Sequence, residues 1–112
     1  MVQLASQEKK IVAEYISLVR KRFTDKVSEI VLFGSKARGD SNEESDIDLL
    51  IVIDTENRKI KRDILGLCWD VMFDNDFKAF ISPIVFSKKQ YNRYLNWNSS
   101  FLHNVFREGV KL

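Results

Sequence analysis

The segment from residue 34 to residue 48 constrains the fold more than any other part of this 112-residue chain. It reads Gly-Ser-Lys-Ala-Arg-Gly-Asp-Ser-Asn-Glu-Glu-Ser-Asp-Ile-Asp and directly follows the apolar run that ends at Phe33. The pattern predicts a short strand over residues 28–33, a tight turn, a polar loop over residues 39–45 and a second strand over residues 46–53. The motif therefore spans the ends of two neighbouring strands.

Two carboxylates open the second predicted strand. Asp46 and Asp48 are two residues apart, so on a strand both point to one face while Ile47 points into the core. Hard anionic oxygens at this spacing suit Mg²⁺, which takes one or two protein carboxylates together with waters and substrate phosphates. The apolar run Leu49–Ile53 would hold the pair on a rigid, buried strand. We therefore predict Asp46 and Asp48 as catalytic residues and as ligands of one or two Mg²⁺ ions.

The Gly-Ser turn before this strand is a candidate phosphate site. Gly34 allows a sharp turn with close ligand approach, and Ser35 with the amides after it can form a small anion nest. Lys36 or Arg38 could neutralise phosphate charge, and the arginine fork is the better bidentate partner. Gly34, Ser35 and Arg38 are therefore the predicted nucleotide-binding residues, with a solvated loop cation as the competing interpretation of Arg38.

Each of these signals has a structural alternative. A Gly-Ser pair is often only a turn, and Asp-x-Asp at a strand start is often a solvated cap, so their combination across adjacent strand ends carries the prediction. Asp40, Glu43 and Glu44 are expected to form a solvated acidic loop. His103 is the only histidine and is expected at a surface or interface rather than at a metal.

Length and composition predict one domain over residues 1–112. With 45% apolar and 30% charged residues the chain has an ordinary globular composition. Its net charge of +2, without a clustered basic stripe, is too small to imply a dedicated nucleic-acid binder. Cys68 is alone, so no internal disulfide can form, and a buried structural thiol is the favoured interpretation. The longest apolar run has five residues, so neither a membrane span nor a signal peptide is expected, and a cytoplasmic location is predicted.

The remaining periodicities predict an α+β fold of two layers: a small mixed sheet of about three strands packed with helices. Helical spacing covers residues 3–23, and Thr55 is the predicted cap of a helix that ends near Asp74. Pro83 places the third strand, residues 77–86, at an edge or a bulge. Ser87 and Gln90 are predicted to form a capping box for a helix through Tyr91, Tyr94 and Leu95. A last helix from Trp97 is expected to end at Gly109 in a left-handed conformation.

The wording Phe-Gly-Ser-Lys-Ala-Arg-Gly followed by Ser-Asp-Ile-Asp-Leu-Leu resembles the signature of minimal nucleotidyltransferases of the DNA polymerase β-like superfamily. The resemblance is close over residues 29–53 and looser elsewhere. The ending Asn-Val-Phe-Arg-Glu-Gly-Val, residues 104–110, is similar to members encoded beside a helical HEPN-domain protein. The resemblance implies a nucleotidyltransferase fold, ATP as substrate, and a toxin–antitoxin pair in which the antitoxin transfers AMP to a tyrosine of the HEPN toxin.

The chain departs from this family pattern at one place. Active members commonly carry a third carboxylate on a later strand, in a segment whose sequence resembles Val-Asp-Leu-Val. Residues 81–84 of this chain read Ile-Ser-Pro-Ile instead. Ser82 stands where that base would be, and a serine neither ligates Mg²⁺ as an anion nor accepts a proton near neutral pH. Asp74, Asp76 or a carboxylate of a partner could substitute, and the sequence leaves these alternatives open.

Three functions are consistent with the sequence. The first is Mg²⁺- and ATP-dependent adenylylation of a protein partner, expected to be a HEPN-domain protein. The second is a catalytically weak or inactive antitoxin that neutralises such a partner by burying aromatic surface, since the chain has eight Phe, three Tyr and two Trp residues. The third, transfer to a small molecule or RNA, is disfavoured because enzymes of that kind carry a further domain to hold the acceptor.

Overall fold

A computed structural model of the chain describes residues 2–40, 45–97 and 99–112. Its elements, in chain order, are α1 (Ser6–Arg22), β1 (Val27–Phe33), α2 (Ser35–Arg38), β2 (Ile47–Ile53), α3 (Arg58–Asp74), β3 (Ile81–Ser87), α4 (Lys88–Asn96), α5 (Ser100–Glu108) and β4 (Val110–Lys111). Glu43 and Glu44 of the predicted acidic loop lie outside the described residues. Across the described ranges, each helix is too short or too polar to traverse a lipid bilayer.

The strands form one mixed sheet in the order β3-β2-β1-β4. β1 runs antiparallel to both β2 and β4, and β2 runs parallel to β3. The three predicted strands are all present, and β3 lies at an edge, where Pro83 lacks the N–H that a further strand would need. The fourth strand is only two residues long, so it leaves no alternating pattern in the sequence.

Helices cover both faces of this sheet, which adds a layer to the two that the sequence predicted. Alternate side chains of β2 enter two separate cores because successive residues of a strand face opposite ways. Ile47, Leu49, Ile51 and Ile53 pack with α1 and α3, whereas Leu50 and Val52 pack with α4 and α5. Asp48 has the same parity as Leu50, so it lies on the face that α4 and α5 cover.

Two buried polar groups connect elements on the face of the sheet that α1 and α3 cover. The hydroxyl of Tyr15 donates to the carbonyl of Ile64 at 2.8 Å, which ties α1 to α3, and burial raises the pKa of Tyr15. The thiol of Cys68 lies 3.7 Å from the carbonyl of Ile81, and burial raises its pKa to about 11. Cys68 is 1% exposed, in agreement with the predicted structural role.

The helix caps partly follow the sequence prediction. Ser87 and Gln90 form the predicted capping box, with both reciprocal bonds at 3.1 Å. The cap of α3 is Asn57, whose Oδ1 accepts from the amide two residues on, and the prediction of Thr55 is wrong. The hydroxyl of Thr55 instead accepts from the amide of Asn57, which places the helix start two residues later.

Gly109 ends α5 in an extended conformation, with φ −73° and ψ 152°. The predicted left-handed cap is therefore wrong. A glycine is needed there for a different reason, because a Cβ atom would overlap the carbonyl oxygen of Val105 and lie 2.6 Å from Cγ1 of Val31. The close approach lets the chain turn directly from α5 into β4, beside β1.

Candidate active site

The Gly-Ser turn and the two carboxylates meet at one end of β1 and β2. The antiparallel register pairs Phe33, the last residue of β1, with Asp48. Gly34 follows β1 directly, and Asp46 stands one residue before β2 begins at Ile47. The fold therefore brings the predicted phosphate turn beside the predicted metal ligands.

Gly34 packs directly against the carboxylate of Asp48. Its φ of 76° with ψ of −158° lies in a region that is essentially restricted to glycine. A Cβ atom at this position would overlap Oδ2 of Asp48 and lie 3.2 Å from its Cγ. Both the backbone conformation and the space beside Asp48 thus require the absence of a side chain.

The electrostatics of Asp48 indicate a site for a cation. Partial burial raises the pKa of Asp48, the charge of Asp46 raises it further, and Arg38 lowers it. Two carboxylates that repel each other at the end of a rigid strand are stabilised by a divalent ion with oxygen ligands. The donor set fits Mg²⁺, with Asp46 and Asp48 as the residues that would hold it.

Ser35 begins α2, a helix of four residues. The first bonds inside this helix run from the amides of Ala37 and Arg38 to the carbonyl of Gly34, at 3.1 and 3.0 Å. The amides of Ser35 and Lys36 precede these bonds, at the first two positions of the helix. Their position after the glycine turn is compatible with the predicted anion nest.

Arg38 is exposed and held by two carboxylates. Its Nε donates to Oδ2 of Asp40 and its Nη1 to Oε2 of Glu108, each at 3.1 Å, and these bonds raise the pKa of Arg38. Glu108 comes from α5, 70 residues away in sequence, and no local pattern could reveal it. A phosphate that binds Arg38 must therefore replace or share these partners.

Lys36, the alternative cation, has a structural role. Its side chain is 4% exposed, and its Nζ lies 3.0 Å from Oε2 of Glu8 on α1. The carbonyl of Lys36 also accepts from the amide of Gln3 at 2.7 Å. Lys36 thus ties the amino-terminal segment to α2, which favours Arg38 over Lys36 at the phosphate turn.

Ser82 lies next to Asp48 across the sheet. The parallel register pairs the two residues directly, so the position of the missing third carboxylate adjoins the aspartate pair, as the resemblance implied. Within residues 2–40, 45–97 and 99–112, acidic, histidine and cysteine side chains form no group of three that could hold a metal. Asp74 and Asp76 therefore do not join Asp46 and Asp48 as further ligands.

Two cavities flank the aspartate pair, and the local sequence patterns indicated neither. One of about 230 Å³ lies between the Gly34 turn and α5, with Phe101 and Asn104 in its wall. The other, of about 390 Å³, extends from Asp46 and Ser82 to α3. Both are formed by residues far apart in sequence, so only the packing of helices on the sheet creates them.

The sheet, the Gly-Ser turn and the paired aspartates define a nucleotidyltransferase. The model of the family described as "Nucleotidyltransferase domain" matches residues 12–92. The chain belongs to this family. The match runs from within α1 to within α4 and includes every residue that the sequence predicted for the site.

Relatives and solved structures agree with this assignment. The chain is 36% identical to the "Putative protein adenylyltransferase MJ0604" of Methanocaldococcus jannaschii, over 91% of this chain and 94% of that protein. It is 31% identical to "Putative protein adenylyltransferase MJ0141" of the same organism, over 91% and 95%.

Two crystal structures share the fold. One is of a "putative nucleotidyltransferase from Sulfolobus solfataricus", with a TM-score of 0.58, 22% identity, and coverage of 91% of this chain and 76% of that one. The other is described as "the toxin-antitoxin with AMP-PNP", with a TM-score of 0.52, 21% identity, and coverage of 88% and 69%.

Proposed function

We propose that this protein transfers AMP from ATP to a hydroxyl group of a protein partner, with Mg²⁺ as cofactor. The observation that carries the proposal is the packing of a glycine turn directly against Asp48, beside Asp46. The relatives named as protein adenylyltransferases support a protein acceptor, and the structural neighbour described with AMP-PNP supports an adenine nucleotide.

The phosphate turn would bind and orient the nucleotide. Gly34 lets the chain turn sharply beside Asp48, and the amides of Ser35 and Lys36, which follow this turn, would donate to a phosphate. The guanidinium of Arg38 would exchange one of its carboxylate partners for a phosphate oxygen, which it can bind in a bidentate manner. These contacts would place the triphosphate on the β1 side of the aspartate pair.

Asp46 and Asp48 would hold the metal. Mg²⁺, when bound, neutralises charge on the triphosphate and on the departing pyrophosphate. The rigid strand β2 keeps both carboxylates in place, so little reorganisation is needed during the reaction. Asp48 would also be stabilised by the cation, because burial and the charge of Asp46 disfavour its ionised form.

The transfer itself is a displacement at the α-phosphorus. The acceptor oxygen forms a bond to this atom while its bond to the pyrophosphate oxygen breaks, and pyrophosphate leaves. Ser82 has no basic group to take the acceptor proton, so the proton passes to solvent or to a carboxylate of the partner. Transfers through a loose transition state depend on positioning and charge more than on a strong base, so a slow reaction is expected without one.

Mass spectrometry of the acceptor tests the proposal. We infer that the acceptor is a HEPN-domain protein encoded in the neighbouring reading frame, with this chain as its antitoxin. Wild-type protein with ATP and Mg²⁺ should add the mass of one AMP group to that partner, and Asp48→Asn should abolish the addition. Absence of the addition with wild-type protein, in spite of Mg²⁺-dependent ATP binding by calorimetry, would overturn the protein acceptor.

Neutralisation by binding alone is the second candidate, and the position of Ser82 beside Asp48 favours it. In this case the aspartates would be dispensable for neutralisation. Equal protection of cells from the partner by wild type and by the double variant Asp46→Asn/Asp48→Asn would support it. Loss of protection in the double variant, with partner binding retained, would exclude it.

A further inference from the structure

Four aromatic side chains form one face at the carboxyl end of α3, which we call the aromatic face: Trp69, Phe73, Phe77 and Phe80. Phe77 lies at its centre, with ring centroids 6.2 Å from each of the other three. Trp69, Phe73 and Phe80 are 64%, 71% and 56% exposed. Large aromatic side chains that cluster and remain in water mark an interaction surface more often than a defect of packing.

The backbone holds Phe77 in this cluster at an energetic cost. Asp76 and Phe77 have φ values of 54° and 53°, which are uncommon for residues other than glycine. Their amides bond to the carbonyls of Phe73 and Met72, at 3.1 and 2.9 Å, which is the Schellman pattern of a helix end. Glycine is usual at the first of these two positions, which Asp76 occupies here, and the left-handed Phe77 that follows places its ring at the centre of the cluster.

The aromatic face has an acidic border. Residues 69–80 contain three aspartates and one lysine, Lys78, and are therefore acidic, although the whole chain has a net charge of +2. Asp70 and Asp74 are exposed and each follow an aromatic residue of α3, so they form a row beside Trp69 and Phe73. Asp76 is also exposed, in the turn before Phe77. A complementary surface would carry apolar side chains with lysine or arginine at their margin.

The cavity of about 390 Å³ extends from this face to Asp46, one of the two aspartates. Its lining includes Trp69 and Phe80 of the aromatic face together with Asp46 and Ser82. The sheet order is β3-β2-β1. The aspartates at the start of β2 therefore lie between the phosphate turn, which follows β1, and Ser82 on β3. A nucleotide bound at the turn therefore leaves the β3 side, with this cavity, to the acceptor.

We propose that the aromatic face is the docking surface for the acceptor protein, whose contact region has an apolar centre and a basic margin. This inference rests on the proposed function, because it assigns the acceptor side of the same site. The acceptor residue enters the cavity between Trp69 and Phe80 and presents its hydroxyl group near Asp46. The remaining apolar side chains of the partner cover Phe73 and Phe77.

The chain offers matched controls for a test. Trp97, which follows the last residue of α4, and Phe106 on α5 are 68% and 56% exposed, almost the same as Trp69 and Phe80. The variants Trp69→Ala and Phe80→Ala are compared with Trp97→Ala and Phe106→Ala. The wild-type protein, Mg²⁺ and ATP labelled on its α-phosphate are added to an extract of the source cells. The protein that becomes labelled is identified and purified, and it then serves as the substrate for each variant.

We expect Trp69→Ala and Phe80→Ala each to raise the KM for this substrate about tenfold or more, as for central aromatic residues of other interfaces. Calorimetric ATP affinity and thermal unfolding should match those of Trp97→Ala and Phe106→Ala, whose KM should equal that of the wild type. Asp74→Lys should also raise KM, more at low salt than at high salt, whereas the exposed Asp25 changed to Lys should not.

The outcomes separate this inference from the proposed function. If the wild-type protein labels no protein, both fail. If it labels a protein and all four alanine variants have the same KM, the docking surface is wrong and the proposed function stands. If the wild type sediments as a dimer that Trp69→Ala dissociates, the aromatic face binds a second copy of the chain and the inference is overturned.

Discussion

Replacement of Gly34 by alanine tests the contact on which the proposed site depends. The added Cβ atom would overlap Oδ2 of Asp48, and the backbone would keep a φ of 76° that alanine rarely adopts. A side chain in such a conformation costs about 1–3 kcal/mol. Each kcal/mol lowers the Tm of a domain of this size by roughly 4 °C. The carboxylate must also move away from the turn, so the Mg²⁺-dependent affinity for ATP should fall together with the stability.

Gly66 supplies the control. It lies within α3, is exposed, and no atom would lie within 4 Å of an added Cβ. Gly66→Ala should therefore raise the free energy of unfolding by about 0.5–1 kcal/mol and leave ATP affinity unchanged. Urea unfolding and isothermal titration calorimetry measure the two quantities for each variant. If Gly34→Ala had the stability and ATP affinity of the wild type, the carboxylate would not pack against the turn, and the proposed site would be wrong.

Three further predictions concern single side chains. Asp48→Asn should abolish transfer yet have a Tm at or above that of the wild type at pH 7, because burial and the charge of Asp46 raise the pKa of Asp48 in the folded chain. The difference should shrink as the pH falls and Asp48 becomes protonated in both the folded and the unfolded chain. The folded chain keeps the proton of Cys68 to a higher pH than the unfolded chain, so the free energy of unfolding should fall from pH 9.0 to about 11, and less steeply in Cys68→Ala. Glu108→Gln should strengthen ATP binding a few-fold by releasing Arg38, whereas Arg38→Gln should weaken it by about tenfold in calorimetry, and an unchanged affinity in both would exclude Arg38 from the site.

The strands and caps that depend on neighbouring residues could be predicted well. The apolar run of β2, the edge position of Pro83 and the capping box of Ser87 with Gln90 are all present. Each follows from chemistry within a few residues: alternation of faces, a missing donor, or a reciprocal bond. The prediction for Gly109 failed because a close contact with β1, rather than helix termination by a left-handed residue, requires glycine there.

The third strand was predicted four residues too early for a similar reason. Its apolar pattern begins at Phe77, but Asp76 and Phe77 have positive φ angles that no strand contains. The hydrogen bonds of the helix end hold them in this conformation, so β3 begins only at Ile81. The aromatic residues are visible in the sequence, but only the turn at Asp76 and Phe77 brings them together as one face.

By itself, the amino-acid sequence determined the order of the longer elements and the pairing of a glycine turn with two carboxylates, because period, turn chemistry and strand alternation act over short separations. Tertiary structure alone decided which distant residues adjoin them: Ser82 beside Asp48, Glu108 on Arg38, and Glu8 on Lys36. These contacts depend on strand order and on where each helix packs. Strand order and helix packing are determined by the free energy of the whole core, which cannot be deduced from a local sequence pattern.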